Sequence, residues 1–167
     1  MYSIFHTSHC GSTLLACLLS KSISTLTEPS WSHNIRFVDS VEDKVKLSEA
    51  NHKQNVLVKY PSLVCEIAPH ILGKKVFLFK NFEDHLCKMR AVHGGDDTEH
   101  AMFWCFRFAN LVKAKDVLFV ESNYFLNNQQ QVAKEVCDWF GIEYIPIEIN
   151  FHVKQAGYNH QDQPIKI

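Results

Sequence analysis

Residues 2–19 read YSIFHTSHCGSTLLACLL, and this stretch decides the fold. Tyr2–His6 has the short apolar pattern of a strand, residues 7–13 are rich in Ser, Thr and Gly, and residues 14–19 have the apolar character of a buried helix. A loop between a strand and a helix can direct backbone N–H groups at an anion, and the helix dipole adds partial positive charge there. The stretch therefore predicts a strand, a phosphate-binding loop and a helix.

The rest of the chain alternates strands with helices. Buried strands are predicted at residues 24–26, 55–59, 75–80 and 117–120. Helices are predicted at residues 62–72, 83–92, 99–115 and 129–140. Strands of continuous apolar character that alternate with helices are typical of a parallel sheet covered by helices on both faces. The fold class is therefore α/β, with a mostly parallel central sheet.

Length and composition indicate one folded domain. The chain has 167 residues, of which 46% are hydrophobic, so it can bury a core of ordinary size. We expect a single domain over residues 1–167, with a polar insert at 30–55 that contains one or two surface helices and a polar, irregular tail at 150–167. Because 17 Lys and Arg stand against 18 Asp and Glu, no global basic field exists to bind nucleic acid.

Three further classes are disfavoured by the sequence. No apolar run is long enough to span a membrane and no secretory signal pattern opens the chain, so a cytoplasmic protein is expected. The six cysteines form no C-x-x-C pair, which favours reduced thiols over a zinc knuckle. His93 and His100, with acidic residues between them, are compatible with a metal site or with a polar loop that leads into a helix, and the pattern favours the loop. No metal is therefore expected.

The loop departs from the nucleotide triphosphatase motif G-x-x-x-x-G-K-[ST]. When the second glycine of the motif is placed on Gly11, His6 stands at the first glycine and Ser12 at the lysine. Thr13 keeps the hydroxyl position. An ATPase or GTPase with a lysine on the terminal phosphates is therefore a poor match.

The loop instead resembles the 5′-phosphosulfate loop of sulfotransferases, in which a strand runs into basic-x-Gly-[Ser/Thr]-[Ser/Thr]-x-Leu. The matching segment is His9–Leu15. The resemblance continues in order through Glu28-Pro29, Lys59 and the segments at 76–84, 117–126 and 138–142. It implies a short bacterial sulfotransferase-like protein with a three-layer P-loop fold. The family transfers a sulfuryl group from 3′-phosphoadenosine 5′-phosphosulfate.

The resemblance implies a donor site at the carboxyl edge of the sheet, where ligands of parallel α/β sheets gather. Backbone N–H groups and hydroxyls of the loop hold the 5′-phosphate, and basic residues after a later strand hold the 3′-phosphate. The implied donor-binding residues are Ser8, His9, Cys10, Gly11, Ser12, Thr13, Lys80 and Lys88.

Three positions depart from the family pattern. His9 stands where most sulfotransferases carry Lys or Arg, Lys80-Asn81 replaces Arg-Asp, and Lys88 replaces a serine. An arginine binds phosphate through two parallel hydrogen bonds, whereas lysine is a point charge, so Lys80 is expected to bind phosphate less selectively.

Three residues are predicted to be catalytic. His9, once protonated, donates to the bridging oxygen, or is a loop histidine bonded to backbone. Glu28 is the candidate base for the acceptor proton, or a capping or salt-bridged glutamate. Lys59 stabilises charge on the transferring group, or is a structural lysine. If the role is catalytic, removal of Lys59 is expected to lower turnover with little change in melting temperature.

Three functions remain open on the sequence. The leading one is sulfuryl transfer to a hydroxyl or amine of a small molecule, a glycan or a peptide. The others are a nucleotide-dependent kinase or phosphotransferase on the same fold, and a catalytically degenerate P-loop domain that binds a phosphorylated ligand or a protein. In the polar insert, Trp31, His33 and His52 are possible acceptor contacts.

Overall fold

Five parallel strands form the central sheet of the computed structural model, which describes residues 1–147. The order across the sheet is β2-β3-β1-β4-β5, and every neighbouring pair is parallel. The strands are β1 Tyr2–His6, β2 Ser24–Thr27, β3 Val56–Lys59, β4 Lys74–Phe79 and β5 Val117–Glu121. The sequence-based prediction of an α/β fold with a parallel sheet is therefore confirmed.

Helices cover both faces of the sheet and make three layers. The α-helices are α1 Ser12–Leu19, α2 Ser30–Asn34, α3 Val41–Asn51, α4 Phe82–His93, α5 Asp97–Lys113, α6 Ser122–Asn127 and α7 Gln129–Phe140. Two short 3₁₀ helices lie at Ile35–Phe37 and Cys65–Ile67. The polar insert thus holds α2 and α3, as the sequence predicts.

Alternation of side chains along the strands separates two hydrophobic cores. On β1, Ile4 belongs to the core under α1 and α7, whereas its neighbour Phe5 belongs to the core on the opposite face. That second core contains Tyr60, whose ring stacks on Phe5 with 5.0 Å between centroids, and Leu111 of α5. The central strands β1, β3 and β4 are buried on both faces and are mainly apolar, whereas the edge strand β2 is polar and mostly exposed.

The helix predicted at residues 62–72 is wrong. The segment forms only the 3₁₀ turn at Cys65–Ile67 and otherwise runs as a buried irregular connection from β3 to β4. β1 lies between those two strands, so the connection has to cross it within a short distance. At its end Gly73 has φ +93°, and a Cβ there would lie 2.1 Å from the Met1 carbonyl oxygen. Only glycine, which has no side chain, allows the chain at residue 73 to come this close to the Met1 carbonyl.

Within residues 1–147 no helix is both long enough and apolar enough to cross a membrane. The predicted irregular tail at 150–167 lies outside the described residues.

Candidate functional site at the carboxyl edge of the sheet

The loop between β1 and α1 is held by hydrogen bonds to neighbouring elements. The Thr7 N–H donates to the Leu78 carbonyl at 3.1 Å, and the Cys10 thiol donates to the same oxygen at 3.3 Å. The Thr7 hydroxyl accepts from the Lys80 N–H at 2.9 Å, and the Ser122 hydroxyl donates to the Cys10 carbonyl at 2.8 Å. The loop is therefore fastened to β4 and α6 before any ligand binds.

Two residues of the loop have left-handed backbone conformations, which turn the chain into α1. Gly11 has φ +91° and His9 has φ +58°. A Cβ on Gly11 would lie 3.2 Å from a ring carbon of Phe125, so glycine satisfies both the backbone and the space. No side chain caps α1, and within residues 1–147 the N–H groups of Gly11, Ser12 and Thr13 donate to no protein acceptor. These amides open the helix and can hold an oxyanion.

The ends of β2 and β3 bring together a buried ion pair. The Lys59 ammonium, in a residue that is 2% exposed, donates to a carboxylate oxygen of Glu28. The Glu28 N–H in turn donates to the Lys59 carbonyl at 2.8 Å, with Glu28 at φ +44°. Burial alone would raise the pKa of Glu28, but the nearby His6 ring and the hydrogen bond from Lys59 outweigh burial and lower that pKa to about 2. In this arrangement Glu28 is ionised and is a weak base.

His6, the last residue of β1, joins the same cluster, although the sequence did not indicate it as a functional residue. Its Nδ1 lies 2.9 Å from the Thr7 carbonyl, which can only accept, so Nδ1 carries a proton. Its buried Nε2 has no hydrogen-bond partner within residues 1–147 and lies 3.7 Å from Glu28 Oε1. Burial lowers the pKa of His6, but the Cys10 thiol and Glu28 outweigh burial and raise it. The sequence feature that could have identified His6 is its position at the end of a strand, since β1, β2 and β3 all end at the same edge of the sheet.

His33 of α2 is the predicted acceptor contact that reaches this cluster, with its Nε2 3.5 Å from Glu28 Oε2. His52 is buried instead. Its Nε2 donates to the Val56 carbonyl at 2.9 Å and its Nδ1 lies 3.2 Å from the Tyr60 hydroxyl, so it stabilises the fold and does not face a ligand. Trp31 packs edge-on against Tyr60, with 5.9 Å between centroids. The predicted acceptor contact of His52 is therefore corrected to core packing, whereas half-buried Trp31 packs at the margin of the core and its acceptor contact stays a prediction.

The loop residues His9 and Ser8 contact α4 and the connection that follows β3. His9 Nε2 is 3.2 Å from His93 Nε2. Burial, followed by the charges of His93, Lys88 and Lys80, lowers the pKa of His9 to about 4. His9 is therefore neutral at pH 7 in this state, and donation to a bridging oxygen requires a bound anion to raise that pKa. The Ser8 hydroxyl lies 3.2 Å from the Ser62 hydroxyl, which places it at the start of the loop.

The region between α4 and α5 fits the polar-loop interpretation. His100 Nε2 donates to the Gly94 carbonyl at 2.7 Å, since a carbonyl can only accept. Within the described part of the chain, no group of three or more metal-ligating side chains is present. The six cysteines are free thiols.

No protein-family model matches the chain, and no curated protein matches its sequence. Solved structures do match its fold. A sulfotransferase from Alicyclobacillus acidocaldarius aligns with a TM-score of 0.57 at 10% identity, covering 92% of this chain and 86% of that one. The sulfotransferase domain from the curacin biosynthetic pathway aligns with a TM-score of 0.57 at 13% identity, covering 87% and 75%.

A kinase aligns almost as well. Shikimate kinase from Bacteroides thetaiotaomicron gives a TM-score of 0.55 at 15% identity, covering 82% of this chain and 97% of the kinase. At such identities the likeness is one of fold. The chain has an α/β P-loop fold of the kind that these sulfotransferases and this kinase share.

Proposed function

We propose that this protein transfers a sulfuryl group from 3′-phosphoadenosine 5′-phosphosulfate to a hydroxyl or amine of an acceptor. The observation that carries the proposal is the ion pair between the buried Lys59 and the half-exposed Glu28, at the same edge of the sheet as the open amides of α1, together with Ser12 at the loop position where a P-loop kinase has lysine. A buried cation and a carboxylate at that point supply charge stabilisation and a base, which are the two needs of such a transfer.

The donor is held by backbone and basic groups in this proposal. The N–H groups from Cys10 to Thr13, with the Ser12 and Thr13 hydroxyls, bind the 5′-phosphate. Lys80 and Lys88, whose charges reach His9, bind the second phosphate. The 5′-phosphate raises the pKa of His9, which then donates a hydrogen bond to the bridging oxygen.

Lys59 and Glu28 act in sequence during transfer. Lys59 contacts the oxygens of the sulfuryl group and so leaves Glu28. Because Lys59 is one of the two groups that hold the pKa of Glu28 near 2, that pKa then rises and Glu28 becomes a competent base. The acceptor oxygen or nitrogen forms the new bond to sulfur, the bond from sulfur to the phosphate oxygen breaks, and the acceptor proton passes to Glu28. Adenosine 3′,5′-bisphosphate is the leaving group.

A nucleotide-dependent kinase is the second candidate, because shikimate kinase shares the fold. Another protein of this fold, YorR from Bacillus subtilis, was solved in complex with phosphorylated GDP, with a TM-score of 0.54 at 12% identity and coverage of 83% of this chain and 94% of YorR. The absence of a loop lysine in the sequence counts against this candidate. The third candidate is a degenerate P-loop domain that binds a ligand or a protein without turnover.

A thermal-shift titration separates the three candidates. Sulfuryl transfer predicts that adenosine 3′,5′-bisphosphate stabilises the protein without magnesium, by about 2.7 kcal/mol at 100 times its Kd. A shift only with ATP and magnesium favours the kinase, and no shift with either favours the degenerate domain. Lys80→Met is expected to reduce the bisphosphate shift, and Lys53→Met, at an exposed position in the connection before β3, is the matched control. Transfer of labelled sulfate to an acceptor library then tests the reaction itself.

A further inference from the structure

Arg107 of α5 is a buried cation without a carboxylate partner. The residue is 3% exposed, and its Nε donates to the Ser62 carbonyl at 2.9 Å. Its Nη1 is buried and has no hydrogen-bond partner within residues 1–147, and no carboxylate of that part of the chain forms an ion pair with it. A buried charge that lacks a partner destabilises a folded protein strongly. An unpaired guanidinium at this position therefore needs another explanation.

His85 of α4 is also a buried polar side chain that lacks hydrogen-bond partners. It is fully buried, and neither Nδ1 nor Nε2 has a hydrogen-bond partner within the described residues. A neutral histidine carries one donor and one acceptor, and a charged one carries two donors, so no protonation state satisfies this ring. Burial, followed by the charges of Arg107 and His100, lowers the pKa of His85 to about 4, so His85 and Arg107 lie in one electrostatic environment.

The surroundings of these two residues are basic and adjoin the loop. Lys80 also contributes positive charge at His85, and the loop residue His9 is near enough to affect its titration. Trp104, one turn before Arg107 on α5, donates through its ring N–H to the Lys80 carbonyl at 2.9 Å, which fastens α5 to the end of β4. Ser62, whose carbonyl accepts from Arg107, also contacts the loop through its hydroxyl. Arg107 and His85 therefore lie next to the loop, at the carboxyl edge of the sheet.

We propose that Arg107 and His85 form an oxyanion subsite, separate from the amides of α1, that takes a phosphate or sulfate group. The guanidinium offers Nη1 and the ring offers an N–H, so a tetrahedral oxyanion receives donors from both and neutralises the unpaired charge. The group belongs either to the nucleotide, as its second phosphate, or to an anionic acceptor. The subsite binds an anion whatever reaction the protein catalyses, so it does not depend on the proposed function.

Arg107→Met tests the subsite, because the difference in melting temperature between the variant and the wild type should change sign when phosphate is added. Methionine keeps most of the stem and removes the charge, so in phosphate-free buffer the variant should melt at or above the wild-type temperature. In inorganic phosphate at the same ionic strength the wild type gains stability and the variant loses most of that gain, so the order reverses. Lys113→Met, at the exposed end of α5, is the matched control and should follow the wild type in both buffers. If Arg107 only stabilises the fold, the variant is less stable by the same amount in both buffers, and the proposal is overturned.

Binding stoichiometry provides a second measurement. Calorimetric titration with inorganic phosphate should find one site fewer in Arg107→Met than in the wild type. His85→Phe should lose the same site, which keeps the test valid if Arg107→Met does not fold. Equal stoichiometry in the wild type and in whichever variant folds would show that water, and not an anion, satisfies these groups.

Nucleotides then identify the source of the group. If the second phosphate of the nucleotide fills the subsite, Arg107→Met weakens adenosine 3′,5′-bisphosphate about tenfold or more and leaves adenosine 5′-phosphate unchanged. If an acceptor fills it, both nucleotides bind the variant normally, and the wild type still takes up one phosphate at the subsite when saturated with the bisphosphate. Loss of affinity for the 5′-monophosphate alone would place Arg107 at the α1 site and overturn the proposal.

Discussion

The Lys59–Glu28 pair should show an asymmetric response when either partner is removed. The pKa of Glu28 is lowered from 4.5 to about 2, a shift that corresponds to about 3 kcal/mol before solvent screening. Because the Glu28 side chain is 31% exposed, screening reduces this value to about 2 kcal/mol. Glu28→Gln leaves an almost fully buried ammonium without its charge partner, so we expect a loss of about 2 kcal/mol of unfolding free energy. Lys59→Met leaves a carboxylate that water and His6 still reach, so we expect about 1 kcal/mol.

Urea denaturation at pH 7 of the wild type, both single variants and the double variant measures these values. The double variant should be less destabilised than the sum of the single ones, with a coupling of about 1 kcal/mol or more. Lys46→Met is the control, because Lys46 pairs with Glu42 and Asp43 on the exposed surface, where ion pairs contribute little to stability. Additive single variants, or a Lys59→Met variant that costs more than Glu28→Gln, would refute the reasoning. The structure thus revises the expectation that removal of Lys59 leaves the melting temperature almost unchanged.

Three further changes test other parts of the structure. Gly73→Ala should destabilise by more than about 2 kcal/mol in urea, because its Cβ would lie 2.1 Å from the Met1 carbonyl oxygen, whereas Gly141→Ala, at φ +77° and ψ 35°, meets nothing within 4 Å and should cost about 1 kcal/mol for its left-handed backbone; equal losses would contradict this. Tyr60→Phe removes the hydroxyl that joins two buried polar side chains and should cost about 1–3 kcal/mol, and a loss below about 0.5 kcal/mol would contradict the pairing. The urea midpoint should fall as the pH drops from 6.5 toward 4, because the unfolded chain binds protons on His85 and His9, whose pKa values in the folded protein are both about 4. Below pH 4.5 the unfolded chain also protonates Glu28, which the folded protein keeps ionised down to its pKa of about 2, so the fall continues. His85→Phe should flatten the first part of that profile, and an unchanged slope would contradict it.

Sequence patterns located the strands because the strands are buried on both faces. A run such as Val56–Lys59 is apolar whatever its neighbours are, so burial can be inferred locally. The same holds for the loop, since a strand, a small-residue turn and an apolar helix follow one another without long-range information. The positive φ of Gly11 agrees with the choice of glycine at the start of α1.

The helix predicted at 62–72 failed because spacing does not distinguish a helix face from a buried crossover. Ile67 and Ile71 are buried as expected, but Leu63 is exposed. The burial of this segment follows from its path across β1 between β3 and β4, which depends on the strand order. Strand order is a property of the assembled sheet, and no local pattern specifies it.

The pairing of site residues was equally inaccessible to sequence reasoning. Lys59 and Glu28 were each noted at a strand end, yet their contact exists because β2 and β3 are neighbours in register, with Thr27 beside Lys59. His52 and His33 have similar settings in the sequence, and only packing sends one to the core and the other to Glu28. The unpaired charge of Arg107 and the unsatisfied ring of His85 had no sequence signal, because a polar residue on a helix is usually solvated.

The amino-acid sequence by itself determined the α/β class, the strand-loop-helix unit at the start and the identity of the edge at which polar residues gather, since these depend on burial and turn chemistry within short windows. The tertiary structure alone decided which charges at that edge meet, which remain unpaired and which are buried, since electrostatic partners come from segments far apart in the chain. Protonation and ligand chemistry follow from those partners, and therefore from the order in which the strands assemble.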